Sequence, residues 1–134
     1  MFEHKTHVRV RYAETDQMGF VYYGHYATYF EVARVETIRA LGLTYRKLEE
    51  VGVLMPVLEL QCKYIKPGRY DDLLTITTQV TESKGSRLFF EYQVHNEAGE
   101  LLTQAKTTLV FVDAKSGRPQ AMPDILADKL MAHL

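Results

Sequence analysis

An α+β fold, with an antiparallel sheet of about five strands wrapped around one long helix, is what this sequence predicts. Three observations point to it. Five segments alternate apolar and polar residues with period two, one segment repeats its apolar residues at helical spacing, and short turn signals separate the later strands. Only one main helix is available, so it can cover just one face of the sheet.

In the first strand Val8, Val10 and Tyr12 alternate with His7, Arg9 and Arg11. The helix follows from Gly24 to Leu41, where Tyr26, Tyr29, Phe30, Ala33, Thr37 and Leu41 recur at its period. Glu31, Arg34 and Arg39 occupy other parts of its circumference, and Glu31 is placed to form an ion pair with Arg34. Gly42 suits the helix end, because glycine enters the left-handed region cheaply. Thr44 can cap a short helix running to Gly52.

A second strand carries Leu58, Leu60, Cys62 and Tyr64 on one face, and a third carries Leu74, Ile76, Thr78 and Val80. Leu88, Phe90, Tyr92 and Val94 mark the fourth. Ala105, Thr107, Leu109 and Phe111 mark the fifth, with Val110 and Val112 on its other face. The turns Pro67-Gly68, Lys84-Gly85-Ser86 and Glu97-Ala98-Gly99 predict antiparallel neighbours. A closing helix is expected after Pro123, with Asp124 in its first turn. Apolar residues on both faces of the last strands favour a partner against the uncovered face, hence an oligomer.

Length and composition narrow the function. A chain of 134 residues fits one domain, 1–134, and its net charge of −1 offers no general attraction to nucleic acid or an anionic membrane. Cys62 stands alone, so no intrachain disulfide can form, and the polar start Met1–Thr6 predicts a cytoplasmic location. No apolar run has the length of a membrane span. His4 and His7 fall on opposite faces of a strand, and His95 and His133 lack ligand-like neighbours, so no metal site is expected. Cys62 reads as a small hydrophobe rather than a nucleophile. Neither a Ser-centred nucleophile elbow nor a phosphate-binding glycine loop is present.

The unusual stretch is Tyr12 to Tyr26, which leaves the first strand and feeds the helix. It holds Glu14, Asp16, Gly19, Gly24 and a cluster of tyrosines. The first N–H groups of a helix lack internal partners and carry partial positive charge, so they can polarise a carbonyl and stabilise its oxyanion. Gly24 would let a substrate approach that backbone. Asp16 can fold back to the same point, but from spacing alone it reads first as a loop carboxylate that caps backbone donors. Glu14, two residues upstream, is expected to point elsewhere.

This stretch resembles the signature of the 4-hydroxybenzoyl-CoA thioesterase family of hotdog proteins. The matching positions are Tyr12, Thr15, Asp16, Gly19, Val21, Tyr22 and Tyr26, followed by Tyr29-Phe30-Glu31 and Arg34. Cys62 to Asp71 looks like the family's next strand and turn, and Gly85-Ser86 like its turn near CoA. The resemblance implies hydrolysis of an acyl-CoA thioester. Asp16 would be the catalytic carboxylate and the Tyr23 backbone N–H the group that polarises the carbonyl. The acyl group would lie between subunits of a tetramer built as a dimer of dimers. CoA is part of the substrate, so no separate cofactor is expected.

Two positions depart from the family. Tyr23 stands where many relatives have histidine, and His25 where they have asparagine. His25 could orient water, bond to the Asp16 loop, or be an ordinary first-turn residue. Lys66, Ser86 and Arg87 are candidates for the CoA nucleotide, with Arg69 and Arg118 behind them, since basic side chains suit phosphates. A non-catalytic acyl-binding module and an acyl-thioester dehydratase or hydratase are the competing readings.

Overall fold

The computed structural model describes residues 2–133. It has seven strands and three α-helices among them. In chain order these are β1 (Phe2–Arg9), α1 (His25–Ala40), α2 (Tyr45–Glu50), β2 (Val53–Leu54), β3 (Val57–Tyr64), β4 (Leu73–Lys84), β5 (Arg87–His95), β6 (Leu101–Val110), β7 (Val112–Asp113) and α3 (Asp124–Met131). A 3-10 turn over Tyr12–Glu14 separates β1 from α1.

Five strands form one antiparallel sheet in the order β1-β4-β5-β6-β3, and β2 pairs with β7 in a small ribbon. The alternation in β4, β5 and β6 works as expected. Leu74, Ile76 and Val80 pack with Leu88, Phe90, Tyr92, Val94, Ala105 and Leu109 under α1. The helix answers with Tyr26, Tyr29, Phe30, Ala33 and Ile38. The Phe30 ring stacks on Tyr92 with centroids 4.5 Å apart. Gly42 closes α1 at φ +88°, and the Thr44 hydroxyl caps α2 by accepting from the Lys47 N–H at 3.0 Å. No helix among the described residues is long and apolar enough to cross a membrane.

Four expectations need correction. Tyr12 does not belong to β1: the strand ends at Arg9, and Tyr12 sits in the 3-10 turn, 76% exposed and stacked on Tyr70. Pro67-Gly68 is not a hairpin turn. β3 and β4 lie at different places in the sheet, three ladders apart, so residues 65–72 cross over its end. Glu31 does not pair with Arg34; it is exposed, while Arg34 is buried with its guanidinium donating to the Tyr92 hydroxyl at 3.2 Å. The spacing was right for a pair, but α1 turns Arg34 toward the sheet and Glu31 toward water.

The fourth correction concerns the uncovered face of the sheet. Cross-strand partners place Thr75, Thr77, Gln79, Glu91, Gln93, Gln104 and Lys106 there, a polar surface suited to water. The exposed apolar surface lies instead on edge strand β3, at Val57, Leu58, Leu60 and Tyr64. Leu60, Cys62 and Tyr64 pair with Thr107, Ala105 and Thr103, which face the helix. The β3 alternation therefore has the correct sense, but α1 does not extend over the edge.

Candidate active site

The crossover of residues 65–72 brings a second loop against the stretch before α1. The Val21 N–H donates to the Gly68 carbonyl at 2.7 Å, Phe20 bridges to Arg69, and the Arg69 guanidinium lies 5.0 Å from the centre of the Phe20 ring. Between these loops, β3 and the start of α1 lies a cavity of about 300 Å³. Asp16, Met18, Tyr23, Tyr26, Tyr64, Lys66 and Gly68 are among its lining residues. Larger hollows of about 480 and 600 Å³ lie over the outer face of the sheet, but neither touches Asp16 or the helix start.

Asp16 is held tightly by its own loop. Its Oδ1 accepts the Met18 N–H at 2.9 Å and the Phe20 N–H at 3.2 Å. Its N–H donates to the Phe20 carbonyl, and Gly19 adopts φ +78° to close the turn. The loop-capping role and the site-facing position are thus both present: one oxygen holds the turn, while Oδ2 has no protein donor among the described residues.

At the helix start, the His25 N–H bonds to the Tyr22 carbonyl and the Tyr26 N–H to the Tyr23 carbonyl. The N–H groups of Tyr23 and Gly24 have no acceptor among the described residues, as expected at a helix N-terminus. Gly24 has φ −66° and ψ −21°, a conformation open to any residue, so its backbone does not require glycine. Space does: a Cβ there would meet the Tyr22 ring at 2.9 Å. Tyr64 completes the wall, its hydroxyl donating to the Tyr23 carbonyl at 3.2 Å and burial pushing its phenol up.

The other sequence candidates fall into two groups. Lys66 reaches the cavity wall, and its ammonium pairs with Glu100 at 2.7 Å. His25 is not among the lining residues; its ring stands edge-on to Tyr29 with centroids 6.5 Å apart. Ser86 and Arg87 lie at the far end of the sheet. Lys66 bonds to Leu102 on β6, and Arg87 pairs with Val110 on the same strand, a separation of roughly 27 Å at the usual strand rise. Within one chain these residues do not share a site. Arg118 lies in the turn after β7, where its N–H donates to Ser116.

Glu14 is the residue whose importance spacing did not reveal. It is 3% exposed, and its carboxylate accepts the Arg11 N–H at 2.9 Å, the Arg11 guanidinium at 2.8 Å and the Tyr29 hydroxyl at 2.8 Å. Burial alone would raise this carboxyl, but the Arg11 and Tyr29 bonds outweigh it and hold it below the ordinary 4.5. A carboxyl lowered on folding contributes stability that is complete above its unfolded value and is lost as pH falls through its folded one. Glu14→Gln should therefore unfold more easily than the parent at pH 7, and the gap should narrow below about pH 4.5. Urea titrations at several pH values measure it. A gap that stays constant down to pH 3 counts against the assignment.

Cys62 is half-buried on β3, and burial pushes its thiol up, an unreactive setting. No group of three or more metal-binding side chains occurs among the described residues.

Comparison with known proteins gives a consistent result. A family model described as the thioesterase superfamily matches residues 18–103, beginning two residues after Asp16. YneP of Bacillus subtilis is 38% identical over 124 residues, 90% of each chain. An acyl-CoA thioester hydrolase of Escherichia coli O157:H7, YbgC, is 34% identical over 116 residues, 87% of each. Among solved structures, a DHNA-CoA thioesterase from Staphylococcus aureus superposes with a TM-score of 0.90 at 36% identity, covering 98% of this chain and 93% of its own.

Proposed function

The chain belongs to the thioesterase superfamily and hydrolyses an acyl-CoA thioester, and from that premise we propose that Asp16 and the free amides of Tyr23 and Gly24 carry the reaction. The observation that supports this most is their convergence. Asp16 and Tyr23 line one largely apolar cavity at the positive end of α1. The thioester oxygen sits against the two N–H groups, which strengthen their hold as it becomes an oxyanion. The Asp16 carboxylate either attacks the carbonyl carbon, giving a mixed anhydride that water opens, or takes a proton from attacking water. Either way the carbon–sulfur bond breaks and CoA leaves as its thiol.

A dehydratase reading needs an acid and a histidine on one substrate, and His25 lies outside the cavity lining, which favours hydrolysis. The tyrosine-rich lining gives the acyl group an apolar pocket with phenols in its wall.

The working unit in this proposal is a homotetramer, a dimer of dimers, in the cytoplasm. The lone thiol fits a reducing compartment. The apolar edge strand β3 borders the cavity through Tyr64, so a second copy there would cover exposed Leu58 and Leu60 and complete the pocket. Lys66, Ser86 and Arg87 would then serve one CoA across two chains. Light scattering should give the mass of four chains; a monomer at working concentration would sink the shared site.

Gly24→Val tests the helix start. The backbone conformation there suits any residue, so the helix should persist, but the new side chain must push aside the Tyr22 ring next to the Tyr23 and Gly24 amides. Thiol release from acyl-CoA should fall by up to about 10²–10³-fold in kcat/KM, the worth of one oxyanion donor. Parental kcat/KM would remove the helix start from the reaction.

A further inference from the structure

We infer that Glu14 is a positioning residue, one that locks the Asp16 loop onto α1 and thereby sets where the catalytic carboxylate stands relative to the helix start. This rests on the role proposed for Asp16. The geometry comes from bonds to three different parts of the chain. Side-chain Oε1 takes the hydroxyl of Tyr29, which is buried one turn into α1. Both oxygens hold Arg11 at the end of the first loop segment. The Glu14 carbonyl accepts the Tyr22 N–H at 2.9 Å, just before the amides of Tyr23 and Gly24.

Between these anchors the loop is closed on itself. Thr15 bridges to Val21, and the Asp16 N–H reaches the Phe20 carbonyl at 2.8 Å. The loop is therefore a closed unit held on two sides: Phe20 and Val21 tie it to Arg69 and Gly68, and Glu14 is what ties it to α1. Asp16 is two residues away from it, and Tyr29 is one helical turn below His25. Losing the Glu14–Tyr29 bond lets the loop shift against the helix while its internal bonds and its ties to Gly68 and Arg69 stay made. A carboxylate displaced by about 1 Å can cost roughly 10²-fold in rate while leaving binding intact.

The alternative is that Glu14 is simply a buried acid that stabilises the fold, and the two readings separate by kinetics. Tyr29→Phe removes only a hydroxyl and leaves Glu14 paired with Arg11. Glu14→Gln keeps an acceptor but loses the charge. Both are assayed beside Asp16→Asn, at a temperature where circular dichroism shows each variant folded. The expected result is a kcat lowered about 10- to 100-fold per folded molecule in Tyr29→Phe and Glu14→Gln, with KM within about twofold of the parent. If both keep the parental kcat while Asp16→Asn is inactive, the positioning role is wrong and the catalytic one stands. An active Asp16→Asn overturns the catalytic reading, and this inference falls with it.

Discussion

Asp16→Asn should fold like the parent and release CoA about 10²–10⁴ times more slowly. The fold should survive because the two N–H groups of Met18 and Phe20 bond to Oδ1, and an asparagine can offer a carbonyl oxygen in the same place. What asparagine cannot offer is the second, negatively charged oxygen, which is the one free to attack or to take a proton. The loss should appear in kcat, with acyl-CoA still bound, because the cavity walls contributed by Met18, Tyr23, Tyr64 and Gly68 are untouched. Steady-state thiol release together with a binding measurement checks both halves. Parental turnover by this variant would refute the assignment.

The largest effect on stability is expected from Phe30→Ala. Phe30 is fully buried at the middle of the interface between α1 and the sheet, stacked on Tyr92 and close to Tyr26. Removing a buried phenyl ring costs about 3–5 kcal/mol, the transfer of the ring plus the cavity it leaves. The urea midpoint should fall accordingly with the slope unchanged. A loss under 1 kcal/mol would mean that the helix is seated less closely than the ring contacts indicate.

Much of the fold was legible because burial and alternation coincide in the middle of the sheet. Along most of β4 and in β5 every second residue is buried, so Leu74, Ile76, Leu88 and Phe90 announce themselves by period two. Legibility fails where one element serves two surroundings. The β3 pattern is that of a half-buried strand, yet Val57, Leu58 and Leu60 stay exposed at the sheet's edge, and no local rule contains the helix's width. Strand order was misjudged for a similar reason. Pro67-Gly68 has the composition of a tight turn, but what directs that segment across the sheet are long-range bonds to Val10, Val21 and Leu102.

The candidate site is legible in its motif and less so in its architecture. Asp16 and the amide at Tyr23 follow from the segment's resemblance and from the helix end. Glu14 did not, because its partners Arg11 and Tyr29 lie in different elements and only the fold brings the hydroxyl to 2.8 Å. The Glu31–Arg34 pairing failed for the opposite reason: helical spacing allowed it, but burial of Arg34 beside Tyr92 replaced it.

The route of residues 65–72 also bears on how the enzyme comes into being. That segment is tied to the start of the chain by contacts such as the Arg9–Asp71 bond, 62 residues apart in sequence, and to β6 through the Leu102 carbonyl. Each tie closes a long loop, and long loops are slow to close. The segment that walls the cavity is thus held by bonds that only a chain extending into β6 can make, so a chain that stops short of β6 lacks the full site.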